Sequence, residues 1–396
     1  MASPLAGLRV LDLSRVLAGP LAAQTLADMG ADVIKVERPG MGDETRGFPP
    51  FSASGAYSSY FGSVNRGKKS LTVNLDTAEG QQIVHELAAR SDILIENFKA
   101  GSLQKMGLDF ATLSATNPRL IYCSITGFGQ TGPHRHRAGY DMVIQAMGGL
   151  MSLTGESDNP PVKAGVAIAD VTCALYAVSA ILAALYERER SQMGQHIDLA
   201  LLDVQIASLV NHGSSFLMTG KVPERHGNAH ASIVPYQVFE TAEGSMVIAA
   251  ANDAQFEKLA GILGLPELTK DPHYSTNDAR VRNREVLVPV LEERLRSRAA
   301  RQWMNDLDKA GVPAGPINFL DDVFADPQIE AHDLIAEYPS QDGPIRLVGN
   351  PIRFSRTPVV RDLPPPELGA HTDAVLRDVL GMSVEQIEAL RHRKVV

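Results

Sequence analysis

Cysteine is scarce: Cys123 and Cys173 are the only two among 396 residues. One lies in an apolar strand-like run and the other inside a helical one, without the close spacing of a metal or redox pair. Buried, reduced thiols and a cytoplasmic location are the expectation. Positive charge is also short. With 37 Lys and Arg against 46 Asp and Glu the net charge is −9, which argues against nucleic acid as a partner, because phosphate backbones need a basic surface. The N-terminal stretch MASPLAGLRV lacks a charged segment leading into an apolar one, so no secretory signal is expected. The longest apolar run, Val171 to Tyr186, covers 16 residues and falls short of the roughly 18 expected of a membrane span. A soluble chain with no membrane partner follows as the expectation.

Glycine is missing from the place where a nucleotide enzyme needs it. The chain opens as strand (Leu8 to Leu13), helix (Leu21 to Met29), strand (Asp32 to Glu37), and Glu37 stands where a ribose-binding acid would. The connecting loop, Ser14 to Pro20, holds one glycine instead of three, so the backbone cannot approach a pyrophosphate as a dinucleotide fingerprint requires. Neither G-x-x-x-x-G-K-[ST] nor G-x-S-x-G occurs, which removes the main support for phosphate-loop NTPases and α/β-hydrolases. His134 and His136 form an H-x-H pair beside Arg135 and Arg137. The cationic neighbours and the lack of a third ligand argue for no metal.

What is present is alternation. Apolar strands at Leu71 to Leu75, Ile93 to Glu96, Leu120 to Ile125 and His196 to Leu199 interleave with helices at Ala78 to Ala89, Tyr140 to Met147, Val171 to Glu187 and Leu202 to Met218. That pattern predicts an α/β fold with a doubly wound, Rossmann-like parallel sheet. Past Gly220 the chain turns polar, then reads as a hairpin (Tyr236 to Ala250) and charged helices. The expected organisation is a large domain from 1–220, a small α+β domain from 225–330, and a return segment, 331–396, completing the large domain.

Asp170 stands where the run AGVAIA meets the long uncharged helix. An aspartate there reads as a helix N-cap, held ionised by free N–H groups and the helix dipole, or as a carboxylate able to attack an acyl group. Basic residues at loops and strand ends, Arg38, Arg66, Lys68, Lys69, Lys99, Lys105, Arg135 and Arg137, form a candidate anion site at the crevice of a doubly wound sheet.

Taken together, LDLSRVLAGP (11–20), GADVIKVERPG (30–40), NRGKKS (65–70), Glu96-Asn97-Phe98, Ala138 to Asp141, Asp170 with its helix, and LGAHT (368–372) resemble the class III CoA-transferase family, which includes formyl-CoA transferase and the carnitine CoA-transferases. The resemblance spans the chain. It implies a Rossmann-like large domain with a small one, an interlocked homodimer, and Asp170 as nucleophile. It further implies CoA contacts at Val16, Leu17, Ala18, Arg38, Val73, Asn97, Phe98, Lys105 and Tyr140. Asp76 and Ala138 replace lysines of formyl-CoA transferase, which points to Arg137 or Lys69 as substitute phosphate contacts. Within the family, IYCSITG (121–127), GNAHASIVPYQ (227–237) and GVPAGPIN (311–318) are most similar to the succinyl-CoA:glutarate CoA-transferases, so a dicarboxylate acceptor such as glutarate is implied, with Arg15, His230 and Ser232 as candidates for its second carboxylate. A CoA thioester is then a substrate, and no tightly bound cofactor is expected. Two other classes stay open: an α-methylacyl-CoA racemase-like enzyme, against which Tyr140 stands where racemases carry histidine, and a non-catalytic CoA-binding protein.

Overall fold

The computed structural model describes residues 3–52, 55, 57–340 and 343–396. Six strands, β1 (Arg9–Asp12), β2 (Asp32–Glu37), β3 (Lys68–Thr72), β4 (Ile93–Glu96), β5 (Ile121–Thr126) and β6 (His196–Ala200), pair all in parallel in the order β3-β2-β1-β4-β5-β6. Alternate side chains of each strand enter opposite cores, as a period of two demands. Val10, Ile93, Ile95, Ile121 and Cys123 face one core with Cys173, whereas Leu11, Leu94 and Tyr122 face the other. Both cysteines are buried, free thiols.

The crossovers carry helices α1 (Ala18–Asp28), α2 (Ser59–Asn65), α3 (Ala78–Ala88), α4 (Phe110–Thr116), α5 (Asp141–Met147), the short α6 (Leu150–Leu153) and α7 (Ile168–Ser191), and β6 leads into α8 (Leu201–Ala207) and α9 (Val210–Thr219). The single helix expected over Leu202 to Met218 is therefore two, broken before Val210, whose φ is +38°. α7 runs 24 residues, beyond the 16-residue uncharged run at both ends, and by length and composition alone could cross a bilayer. Ala174, Ala177, Ile181 and Leu185 nevertheless pack it into the core shared with α1 and β5.

Strand β3 begins three residues earlier than its apolar pattern predicts, because Lys68 is itself buried. Its ammonium lies 2.8 Å from the Asp12 carboxylate, and both side chains are fully shielded from solvent. Residues 330–396 return to this unit. His371 Nδ1 accepts the N–H of Ser70 and Thr372 Oγ1 that of Thr72, while helices Thr372–Asp378 and Val384–His392 complete the second core.

The chain divides into two compact units, Met1–Leu150 with Lys163–Lys221 and Glu330–Val396, and Met151–Val162 with Val222–Ile329. The segment 151–162, expected with the large domain, belongs to the second unit instead. There the Arg225 guanidinium donates to the carbonyls of Glu156, Ser157 and Asn159, and Gly227 N–H donates to Gly155. This unit holds an antiparallel sheet, β7 (Tyr236–Glu240), β8 (Ser245–Ala249) and β9 (Ala314–Pro316), over α10 (Asp253–Leu263), α11 (Asn277–Arg282), α12 (Arg284–Leu295) and α13 (Ala300–Ala310). Its core includes Trp303, whose indole donates to the Leu295 carbonyl.

Candidate active site

Chain order reverses between β1 and β4, and the loops that leave their carboxyl ends part to open a crevice, the usual ligand position in such sheets. One side chain clips the two loops together. Asn97, after β4, accepts the Arg15 N–H at 2.9 Å and donates to the Arg15 carbonyl at 2.7 Å. The amide expected to touch a ligand thus spends both polar atoms on the wall of the cleft.

The loop after β1 rests on buried charge. Asp12 accepts both the N–H and the hydroxyl of Ser14; Lys35 donates to the Ser14 carbonyl and pairs with Asp43 at 3.0 Å, both shielded. Asp43 in turn accepts the N–H of Val16. Val16 has φ +70°, a left-handed conformation that is costly for a β-branched residue and persists only where its surroundings over-determine it. Here they do, and Val16, Leu17 and Ala18 wall the cleft where α1 begins.

Asp170 opens into this same cleft with Asn97, Phe98, Arg137 and Tyr140. It is the third residue of α7 rather than its cap, which is Ala167. The capping is done from α5: Asp141 Oδ1 accepts the Ala169 N–H at 2.9 Å, and its Oδ2 accepts from Gln145, whose own carbonyl holds the Ala164 N–H. Asp170 is accordingly not held ionised by the helix start. Burial first, and the nearby Asp141 charge second, push its carboxyl up to about 7. Tyr60 of α2, absent from the candidates drawn from sequence, is drawn in by electrostatics: burial and then the charges of Asp170 and Asp141 raise its phenol. No motif marked it, because its importance comes from a neighbour over a hundred positions away.

A second hollow continues from the first, sharing Arg15, Glu44 and Phe98, and is walled by Arg38 and Val73 at the ends of β2 and β3. Arg38 lies 3.4 Å from Asp76, with both side chains well exposed. Arg15 pairs with Glu44 at 2.5 Å and lies over the Phe98 ring. Lys105 sits on the exposed side of the 3₁₀ turn Leu103–Met106, whose Met106 contributes to the wall.

The basic cluster separates into two groups. Arg66 is buried against Asp28 at 2.6 Å and Lys68 against Asp12, so neither is free for an anion. Lys69 pairs with Asp32, which opens β2, and so lies at the amino edge of the sheet, opposite the cleft. Lys99, Arg135 and Arg137 do line it, beside Asp170. Arg137 lies over the Phe128 ring, in no ion pair among the described residues. Of the two substitutes expected for the missing lysines, only Arg137 reaches the cleft. Within the second unit, the His230 ring packs edge-on to Tyr236 at 5.2 Å and its Nδ1 accepts the Ser232 N–H, while Arg284 and Asn277 hold the carbonyls of that turn.

The family model for CoA-transferase family III matches residues 5–372. The chain is 48% identical to a succinate–glutarate CoA-transferase of Agrobacterium fabrum, over 95% of this chain and 96% of that one. It is 45% identical to the human succinyl-CoA:glutarate CoA-transferase, over 95% and 86% of the two chains. Among solved structures, a CAIB/BAIF family protein from Brucella suis superimposes with a TM-score of 0.85 at 48% identity, covering 96% of this chain and all of that one.

Proposed function

The chain belongs to CoA-transferase family III, and from that premise we propose that it moves CoA from succinyl-CoA to a small dicarboxylate such as glutarate, with Asp170 as the nucleophile. The observation that carries this reading is the position of Asp170: its carboxyl opens into a cationic cleft at the strand-order reversal, on a helix start braced by another carboxylate. The identity of nearly one half to succinate–glutarate CoA-transferases supports the choice of acids.

In this mechanism the ionised Asp170 attacks the thioester carbonyl. A C–O bond forms, the C–S bond breaks, and a mixed anhydride and CoA thiolate result. The thiolate then attacks the aspartyl carbonyl, releasing succinate and leaving an aspartyl-CoA thioester. The acceptor carboxylate attacks that thioester, and the returning thiolate takes the new acyl group and frees Asp170. Every species is similarly activated, so the protein supplies position, exclusion of water and N–H donors for the developing oxyanions. CoA lies along Val16 to Ala18, Phe98, Val73 and Arg38, with Arg137 meeting phosphate. Arg15, on the cleft wall, is the proposed partner of the second carboxylate. The working form is a homodimer.

Incubation with succinyl-CoA and a panel of dicarboxylates, read by mass spectrometry, should show glutaryl-CoA and a CoA or acyl adduct on the peptide bearing Asp170. Asp170→Asn should lose transfer by at least about 10³-fold, the scale of losing a nucleophile, while still binding CoA. Full turnover in that variant excludes the assignment.

A further inference from the structure

Strand β4 ends on a buried carboxylate that no cation among the described residues pairs with. Glu96 is 4% exposed. Its Oε2 accepts the Phe98 N–H at 2.8 Å, and it stands directly opposite Ser124 of β5 in the sheet register, whose hydroxyl favours its charged form. Ser124 Oγ lies 2.9 Å from Nε2 of His196, the first residue of β6. The His196 ring stacks on Phe110 at 5.5 Å and lines a third cavity, together with Glu96, Ser124, Lys99, Gln104 and Asp109. Nothing in the transfer chemistry above uses these groups.

The geometry divides the work. Phe98 and Asn97 wall the cleft that holds Asp170, yet the turn that presents them is held from behind by Glu96. An ionised carboxylate is a much stronger acceptor for that N–H than a neutral acid. Burial outweighs the hydrogen bonds and pushes the Glu96 carboxyl up to about 7, with Asp198 of β6 adding to it. The other titratable groups facing it are Tyr122 and Cys123 of β5, His196 of β6, and Lys99 and Asp109 from the loop and helix after β4. Burial lowers His196, which keeps its imidazole neutral and able to accept through Nε2.

We propose that Glu96 is a positioning residue for CoA transfer: when ionised it holds the Asn97–Phe98 turn in its CoA-binding form, and it exchanges its proton with the third cavity through Ser124 and His196. The proton passes from Glu96 to Ser124 Oγ, that of Ser124 passes to His196 Nε2, and the imidazole yields its Nδ1 proton to water. The charge left behind stays on Glu96. This inference rests on the reading that CoA lies against Phe98.

Binding of free CoA, measured by calorimetry between about pH 6 and pH 8.5 in the Asp170→Asn protein so that the nucleophile does not titrate, tests it. The parent should bind about tenfold more weakly at the acid end, the scale of exchanging a charged for a neutral acceptor. Glu96→Gln keeps the acceptor but cannot ionise, so its profile should flatten to the slope of the CoA phosphate alone. Ser124→Ala removes a bond that favours the charged form and should move the midpoint to higher pH. Identical profiles for parent and Glu96→Gln overturn the proposal; if that variant does not fold, an unmoved midpoint in Ser124→Ala does so. Phe98→Ala separates the two levels. If it leaves affinity unchanged, the placement of CoA fails and takes this inference with it. If it weakens binding while Glu96→Gln keeps the parental profile, only the role of Glu96 fails.

Discussion

Asp141 turns a common residue into an unusual one. From sequence, Asp170 is expected at a helix start that holds it ionised, as a cap or as an attacking carboxylate; the structure hands the cap to Asp141 and leaves Asp170 partly desolvated beside a like charge. Neither fact was legible from sequence, because the cap comes from a different helix, and a side chain's desolvation depends on what covers it. What was legible was the residue itself, through the motif around it. The sign of the pH effect follows from the raised carboxyl: only the ionised form attacks, so transfer should fall as pH drops through about 7. Asp141→Asn removes the like charge, so the acid limb of kcat should move to lower pH, and the loss of one brace should lower the plateau about tenfold through misplacement of the attacking oxygen. A limb that stays in place, or moves upward, contradicts this account of Asp170.

The loop between β1 and α1 shows how an element can carry strain for a site. Val16 is held in its left-handed conformation by Asp43, and Asp43, Lys35, Asp12 and Lys68 form one buried charge network beneath it. Lysines 68 and 69 read as a surface anion site in the sequence because charge is ordinarily solvated. Their actual partners, Asp12 and Asp32, sit on other strands, and pairing across a parallel sheet leaves no local spacing to detect. Lys68 also bears the desolvation: burial pulls its ammonium down to about 8 despite Asp12 beside it. Lys68→Met should cost about 3–5 kcal/mol, since it strands the Asp12 charge. A urea midpoint measured at constant m-value reads the loss, and adding Asp12→Asn should recover part of it. No loss in the single variant means that the network carries little of the loop.

At the scale of the molecule, the alternation of strands and helices was enough to expect a doubly wound sheet, because buried parallel strands are continuous apolar runs with a helix between each pair. The membership of residues 151–162 was not, since it depends on Arg225 and the Gly227 N–H bonding to carbonyls more than sixty positions back. The same large unit exposes more apolar helix surface than scattered surface residues explain. Leu175 and Tyr186 on α7, and Leu217 and Met218 on α9, are exposed, the last two by more than 80%. In the proposed homodimer these faces are covered. Equilibrium sedimentation should return twice the chain mass, and Leu217→Glu with Met218→Glu should shift it toward the monomer with a loss of activity. A fully active monomer would remove the dimer from the account.

Val395 is buried in the second core, and its carbonyl accepts the N–H of Asn74. The strands that frame the cleft lie in the first half of the sequence, yet part of the cover on one side of their sheet, Val375, Leu376, Ile387, Leu390 and Val395, lies more than two hundred positions further on. Until that segment docks, the emerging chain carries an incompletely roofed apolar layer, so maturation of the cleft waits on contacts made far downstream of the strands that shape it.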